Sequence, residues 1–319
     1  EKRKGMTEES KKFRNRFAEN GLNTALKSKP ASFYIPENAK RIITGNTEDN
    51  PDWLSDVDWI VEVVVERLDI KKRVFEKIET VLRPGTLVTS NTSGISAEAM
   101  CEGRSENFRK HFAITHFFNP PRYMKLVEIV PNADTLPEVI EVLAETFEKV
   151  IGKGVVYAKD TPNFVANRIG TYNMFSVIKS MADLGLTVEA VDKLTGPVIG
   201  NAKSASFRTA DLVGLDTLLH VAENVYEGAP DDEKREMFKP PEFINRMIEK
   251  NLLGEKTGQG FYKKVRGAEG KREILSIDPG TLEYTSQQKV KSASLEAAKG
   301  VSGTPQKIKS LYYAEDLAG

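Results

Sequence analysis

The sequence is poor in cysteine, histidine and net charge. Its 319 residues include a single cysteine, Cys101, three histidines, and 46 basic side chains balanced by 46 acidic ones. One cysteine excludes an internal disulfide, and so few thiols and imidazoles argue against a structural zinc site. A net charge of zero provides no overall field that would attract nucleic acid.

Long apolar runs are also absent from the sequence. No stretch approaches the roughly 20 apolar residues that a membrane-spanning helix needs, and no signal peptide opens the chain. Together with the lone cysteine, these absences predict a globular, cytoplasmic protein with no membrane span and no nucleic-acid partner.

From residue 59 to residue 160 the apolar pattern alternates between strand and helix. The run WIVEVVVE at 59–66 is typical of a strand buried on both faces, and residues 69–82 have helical spacing. Further strands are predicted at 86–90, 112–118, 125–130 and 154–160, with a helix at 136–152. This alternation predicts an α/β domain over residues 1–160, with a mostly parallel sheet between helices. Residues 1–30, which are charged, predict a helix ahead of the sheet.

The strand pattern stops at Thr161. The segment TPNFVANRIG predicts Thr161 as a helix N-cap and Pro162 at the first helical position. Helical patterns continue, so the sequence predicts an all-helical domain over 161–264. Residues 265–319 are polar and show no strong period, which favours an extension or linker.

Polar residues follow the predicted strands of the first domain. In an open parallel sheet, ligands bind at the carboxyl ends of the strands. These ends place Glu66, Ser93 and the segment 116–119 at one edge of the sheet, and Glu128 near the end of the strand at 125–130.

His116 is the candidate general base. It lies in the segment ITHFFNPPRYMKLVEIV, and an imidazole titrates near neutral pH and can take a proton from an alcohol. Glu128 can orient the ring and stabilise the imidazolium if the turn NPPRYM folds the fourth strand beside the third. The alternative, a core histidine with Glu128 facing water, is about equally supported.

Several other candidates have an ordinary structural alternative. Ser93 sits in a tight polar turn with Gly94. Asn163 and Asn167 belong to a polar stripe on an apolar helix, and a buried asparagine needs partners that a substrate could supply. Asn119, Lys71 and Lys256 are further candidates. The ordinary alternative for Asn119 is a turn-forming residue, and for each lysine it is a solvated surface charge.

One further absence concerns the cofactor. A dinucleotide-binding sheet normally opens with a strand and a G-x-G-x-x-G turn that leads into a helix N-terminus. The sequence contains no such motif.

Five motifs carry a family resemblance: SNTSGIS, THFFNPPRYMKLVEIV, KDTPNFVANRIG, DLVGLDT and GEKTGQGFY. In this order and spacing they resemble the L-3-hydroxyacyl-CoA dehydrogenases of fatty-acid β-oxidation, from about residue 1 to residue 264. The resemblance implies a Rossmann-like domain that lacks its first strand and glycine-rich turn, followed by a helical substrate and dimerisation domain. It also implies that the chain is truncated at both ends and is fused, in long bacterial members, to an enoyl-CoA hydratase domain.

The resemblance also implies NAD as cofactor and an acyl-CoA as substrate. His116 would be the catalytic base and Glu128 its partner. Ser93 and Asn167 would hold the hydroxyl and thioester region of the substrate. The nicotinamide half of NAD would contact Glu66, Lys71, Asn119 and Lys256, with Ser93 shared. Coenzyme A would contact Ser10, Arg14 and Arg16.

The sequence departs from the family pattern at three places. Gly94 and Asn163 stand where serine and glycine are more usual, and GNAKSASFRTAD replaces a shorter glycine-proline segment. The last change leaves the preferred acyl-chain length open.

Two other functions compete with the dehydrogenase. Ser93, His116 and Glu128 could form a nucleophile, base and orienting acid, as in a thioesterase, although a G-x-S-x-G elbow is absent. Without the pyrophosphate cradle, the chain could instead bind acyl-CoA and catalyse nothing, and we expect these 319 residues alone to bind NAD poorly.

Overall fold

The computed structural model describes residues 10–266 and 272–316. The chain divides into two compact units, Glu1–Phe164 and Val165–Gly319, whereas the sequence placed the boundary between residues 160 and 161. The start of the predicted N-terminal helix, at residues 1–9, lies outside the described residues. Among the described residues, no helix has both the length and the apolarity to cross a membrane.

Unit 1 contains a five-stranded sheet in the order β1-β2-β3-β4-β5. The pairings β1/β2, β2/β3 and β4/β5 are parallel, and β3/β4 is antiparallel. The predicted mostly parallel sheet with helices is therefore confirmed. The strands are β1 (Trp59–Glu62), β2 (Leu87–Ser90), β3 (Phe112–Phe117), β4 (Leu126–Pro131) and β5 (Gly154–Tyr157).

The helices of unit 1 follow the apolar pattern of the sequence. Phe75 and Ile78, on one face of α3, are buried, and the Phe75 ring lies 5.5 Å from that of Phe112 in β3. Burial of a phenylalanine contributes about 2–3 kcal/mol, so this face fixes α3 on the sheet. The helices are α1 (Lys11–Arg14), α2 (Arg16–Lys27), α3 (Leu68–Glu79), α4 (Ala97–Cys101), α5 (Glu106–Lys110) and α6 (Pro137–Glu145). A π-helical turn at Thr146–Ile151 continues α6.

The first strand is shorter than predicted. β1 ends at Glu62, and the three valines that follow, Val63, Val64 and Val65, are 67%, 38% and 59% exposed. The β-branched run at 59–66 therefore combines a short buried strand with an exposed segment. Consequently, Glu66 lies beyond the strand.

The antiparallel direction of β4 corrects one expectation. Glu128 was predicted near the end of its strand. In the structure β4 is antiparallel to β3, and Glu128 lies near the start of β4. This places Glu128 at the edge of the sheet where β3 ends. β1, β2 and β3 end at this edge, which we call the carboxyl edge.

The helix predicted from Thr161 begins later, at Ala166. Asn163 and Phe164 have φ angles of 58° and 50°, in the left-handed region, and this breaks the helical path. Both side chains are buried, at 1% and 3% exposure. The segment before α7 is thus a packed turn at the end of unit 1.

Unit 2 is mainly helical, as predicted, and also contains a three-stranded antiparallel sheet. Its helices are α7 (Ala166–Asp183), α8 (Val188–Leu194), α9 (Phe207–Val213), α10 (Leu215–Gly228), α11 (Glu242–Glu249), α12 (Ala293–Ala298) and α13 (Thr304–Tyr312). Its strands are β6 (Tyr262–Arg266), β7 (Arg272–Ile277) and β8 (Tyr284–Ser286). The region predicted as an extension thus contains β7, β8, α12 and α13, although 267–271 and 317–319 lie outside the described residues.

Candidate active site

His116 and Glu128 form a buried pair at the carboxyl edge. They are direct partners across the antiparallel β3/β4 pair, so their side chains lie on the same face of the sheet. Nδ1 of His116 lies 2.7 Å from Oε2 of Glu128, and the two residues are 4% and 0% exposed. The structure therefore brings together the two residues that the sequence suggested as base and partner.

This geometry fixes the chemistry of the imidazole. An ionised carboxylate accepts hydrogen bonds only, so Nδ1 of His116 donates to Glu128 and Nε2 of the neutral ring is the acceptor. Among the described residues, Nε2 of His116 has no hydrogen-bond partner. The ring is thus a proton acceptor held in one tautomer, with a carboxylate positioned to stabilise its charged form.

Two phenylalanines pack on the imidazole. The ring centroid of His116 lies 4.5 Å from that of Phe118 and 5.7 Å from that of Phe164. These apolar contacts limit water around the His116–Glu128 pair, which strengthens its electrostatic interaction.

A second buried ion pair lies at the same edge, at the ends of β1 and β2. Nζ of Lys71 is 3.0 and 2.9 Å from the two carboxylate oxygens of Glu62. Ser90 and the backbone N–H of Val64 also donate to Glu62. Lys71 and Glu62 are 1% and 3% exposed, so Lys71 is a buried structural cation and its predicted solvated alternative is wrong.

Glu66 links this pair to the loop after β2. Its Oε2 lies 3.4 Å from Nζ of Lys71, while its Oε1 accepts hydrogen bonds from Thr92 Oγ1 at 2.5 Å and Ser93 N at 2.8 Å. The side chain of Glu66 is 42% exposed and Ser93 is exposed as well. The network Glu62–Lys71–Glu66 thus holds in place a loop in which Ser93 is exposed.

The loop has no room for a side chain at Gly94. A Cβ built there would lie 2.6 Å from Oδ1 of Asn163, which is buried against it. Two of the three departures from the family pattern, Gly94 and Asn163, therefore lie next to each other. The asparagine side chain occupies the volume that glycine leaves.

Asn119 follows β3 and is exposed at the same edge. The preceding strand end is connected to β2, since the N–H of Phe117 donates to Oδ1 of Asn91 at 2.9 Å. Unit 1 thus presents Glu66, Ser93, His116 and Asn119 along one edge of its sheet.

Two predicted site residues belong to unit 2. Asn167 lies in the first turn of α7 and is partly buried. Lys256 forms an ion pair with Asp216, and this ammonium holds the pKa of Asp216 below its usual range. Their predicted roles toward substrate and cofactor stay predictions.

The predicted coenzyme A residues make local contacts in unit 1. Ser10 caps α1, Arg14 pairs with Asp49 at 2.9 Å, and the Arg16 guanidinium lies 3.9 Å from the ring centroid of Phe13. A contact of Ser10, Arg14 or Arg16 with coenzyme A stays a prediction.

Sequence reasoning missed Glu62 and Phe164. An acidic residue inside an otherwise β-branched run is unusual, and this was the available signal for Glu62. No local pattern marks Phe164, because its contact with His116 comes from a distant part of the chain.

Two sequence models of a single family match adjacent parts of the chain. The NAD binding domain of 3-hydroxyacyl-CoA dehydrogenase matches residues 5–161, and the C-terminal domain of that enzyme matches residues 164–264. A probable 3-hydroxyacyl-CoA dehydrogenase of Deinococcus radiodurans is 46% identical over 253 residues, covering 79% of this chain and 72% of the relative. The chain belongs to the 3-hydroxyacyl-CoA dehydrogenase family.

Two further similarities extend this result. A probable 3-hydroxyacyl-CoA dehydrogenase of Bacillus subtilis is 50% identical over 319 residues, which is all of this chain but 40% of the relative's length. The crystal structure of M. tuberculosis FadB2 matches with a TM-score of 0.66 and 30% identity, covering 79% of this chain and 85% of that chain. Membership of the 3-hydroxyacyl-CoA dehydrogenase family confirms the predicted resemblance and favours neither the thioesterase nor the silent binding module.

The match to an NAD binding domain also confirms the predicted cofactor class. The carboxyl edge fits a nicotinamide riboside, because the carboxamide and ribose hydroxyls of that group need both donors and acceptors. Glu66, Ser93 and Asn119 have such groups at the edge of unit 1, and the ammonium of the buried Lys71 lies 3.4 Å from Oε2 of Glu66. The described residues contain no group of three or more histidine, cysteine or acidic side chains that could hold a metal ion.

Proposed function

We propose that the protein oxidises an (S)-3-hydroxyacyl-CoA to the 3-oxoacyl-CoA with NAD, as a step of fatty-acid β-oxidation. The observation that carries this proposal is the buried His116–Glu128 pair, 2.7 Å apart at the carboxyl edge of a domain that matches an NAD-binding family. When bound, NAD supplies the acceptor for the hydride that leaves C3 of the substrate.

In this proposal the chain moves the proton. Nε2 of His116 accepts the hydroxyl proton while the hydride departs, so the alcohol loses two hydrogens and becomes a ketone. The charge that develops on the ring is stabilised by Glu128 through Nδ1. General-base catalysis of this kind is worth about 10²–10⁴ in rate.

The other edge residues position the reactants. Glu66, Ser93 and Asn119 would hold the nicotinamide half of NAD, and Ser93 and Asn167 the hydroxyl and thioester region. Lys71 acts through Glu66, because its ammonium is buried and engaged by two carboxylates. Lys256 keeps its predicted place among the cofactor residues. The homodimer, the cytoplasmic location and the fused hydratase domain remain predictions.

The test is the variant His116→Gln, assayed by NADH formation from 3-hydroxybutyryl-CoA with the protein in its native length. We expect kcat to fall by about 10²–10⁴. His111→Gln is the matched control, because His111 precedes β3 at the opposite edge and its Nδ1 lies 2.8 Å from a backbone carbonyl, that of Asn107. Equal turnover of the two variants would remove the proposal.

A further inference from the structure

Unit 2 contains a pocket outside the site described above. Its volume is about 590 Å³, and it is walled by α8, α9, β6, β7 and the helices α12 and α13. Leu295, Ala298 and Val198 form an apolar part of its lining, because α12 and α13 pack there on the turn after α8. This volume is within the range of small-molecule sites.

The lining of this pocket contains more cations than carboxylates. Five basic side chains come from separate elements, and only two carboxylates, Glu189 and Asp192, accompany them. Two of the cations have partners: the guanidinium of Arg208 lies 3.2 Å from Glu255 and the ammonium of Lys299 lies 2.5 Å from Glu296. The other basic residues of the lining are Lys193, Lys203 and Lys307.

These three lysines form no ion pair within the described part of the chain. Lys193, in the last turn of α8, and Lys203, in the segment that departs from the family pattern, are exposed, and Lys307 is half-buried in α13. Their side chains come from three separated parts of the sequence and meet at one pocket. Such convergence of like charge is unfavourable without an anion.

The two carboxylates of the pocket are occupied by other donors. Asp192 accepts hydrogen bonds from the backbone N–H groups of Phe207 and Arg208, and from the hydroxyl of Tyr262. Glu189 accepts from the N–H of Gln288 at 2.8 Å. Within the described part of the chain neither carboxylate forms an ion pair with a lysine, so the charges of Lys193, Lys203 and Lys307 are not neutralised by contact.

We propose that this pocket binds a phosphorylated small molecule, with its phosphate groups at Lys193, Lys203 and Lys307 and its less polar part against Leu295 and Ala298. Lysine ammonium groups are common phosphate ligands, and an apolar lining suits the base or chain attached to the phosphate. A free nucleotide and the nucleotide end of coenzyme A share this chemistry.

The first measurement is calorimetric titration of the protein with pyrophosphate. We expect saturable binding that weakens at least about tenfold in Lys203→Glu/Lys307→Glu, since each reversal replaces an attraction by a repulsion. The control is Lys250→Glu/Lys309→Glu, which makes the same change of net charge at exposed lysines of unit 2 outside this lining. Lys193→Glu provides an independent variant on a third element.

Titrations with ADP and with coenzyme A identify the source of the phosphate. The ligand that loses affinity in the pocket variant, and not in the control, is the occupant. Absence of saturable pyrophosphate binding would overturn the proposal. Equal weakening in the pocket and control variants would overturn it too, because that result indicates a non-specific charge effect.

Discussion

Two buried carboxylates lie at the same edge of the unit 1 sheet and have different kinds of partner. Glu128 is hydrogen-bonded to the imidazole of His116, and Glu62 is hydrogen-bonded to the ammonium of Lys71. Both acids are nearly inaccessible, at 0% and 3% exposure. Burial and charge alone therefore do not separate a catalytic pair from a structural one.

The difference lies in what the partner can still do. Lys71 is engaged by Glu62 and Glu66, so its charge is used within the fold. His116 uses only Nδ1, and its Nε2 has no hydrogen-bond partner among the described residues. An imidazole can accept a proton while remaining bonded to its carboxylate, whereas a paired ammonium has no lone pair to offer.

The largest effect is expected from Glu128→Gln. The amide keeps the shape of the side chain but cannot stabilise the imidazolium, so we predict a fall in kcat of about 10²–10⁴. The KM for NAD should change little, because Glu128 holds the ring and not the cofactor. Steady-state kinetics give kcat and KM for this variant and for the control Glu141→Gln, which changes an exposed acid on α6. A kcat equal to that of the control would show that Glu128 has a structural role and no role in catalysis.

The second prediction concerns the structural pair. Lys71→Met leaves Glu62 buried without its cation, and we expect the free energy of unfolding to fall by about 3–5 kcal/mol. The double variant Lys71→Met/Glu62→Met should recover much of this loss, because no unpaired charge remains. Urea denaturation compares both with Lys72→Met, on the same helix but paired at the surface with Glu102.

A kinetic readout separates stability from positioning in these variants. The double variant should still have a raised KM for NAD, since Glu66 has lost its contact with Lys71. If both stability and KM return to normal, Lys71 has no positioning role.

A third buried carboxylate, in unit 2, has no cationic partner in contact among the described residues. Asp211 is 2% exposed and accepts hydrogen bonds from the backbone N–H groups of Phe261 and Tyr262, at 2.7 and 2.8 Å. Burial raises its pKa to about 6, despite these hydrogen bonds. Its contribution to stability is therefore full below its ordinary pKa of 3.8 and is lost as the pH rises through about 6.

The variant Asp211→Asn measures this contribution. Between pH 4 and pH 7, the stability of the wild type relative to the variant should fall by about 2.5 kcal/mol. Asp216→Asn should give a difference of the opposite sign below about pH 4, because Lys256 lowers the pKa of Asp216 and its contribution is lost only as the pH falls below 3.8. Urea denaturation at several pH values tests both. A pH-independent difference for Asp211→Asn would contradict the raised pKa.

The smallest effect concerns the loop between the two pairs of unit 1. Gly94→Ser places a side chain against Asn163, and we expect a loss of about 1–3 kcal/mol from overpacking. Gly94→Ser/Asn163→Gly should recover much of the loss, because the volume of Asn163 is vacated. Gly154→Ser is the control, since a Cβ there meets nothing within 4 Å. Additive losses in thermal or urea unfolding would show that the two positions are independent.

Particular residues show how far the sequence leads. The alternation of β-branched runs with helical spacing predicted the unit 1 sheet, because burial imposes periods of 2.0 and 3.6 on the chain. The same rules overextended β1 to residue 66 and started α7 at Thr161. The strands β6 and β7 were missed, although Tyr262–Arg266 and Arg272–Ile277 alternate in burial around a glycine-containing segment. Weakly apolar strands of this kind give little periodic signal.

By itself, the sequence determined which side chains were available and where the strands that carry them run, because hydrophobic periodicity is a local property. It identified His116 and Glu128 as a candidate pair twelve positions apart. Only the tertiary structure decided that β4 is antiparallel to β3, that Lys71 is buried between two acids, and that Asn163 fills the space at Gly94. Each of these depends on contacts between residues far apart in the chain, which no local pattern encodes.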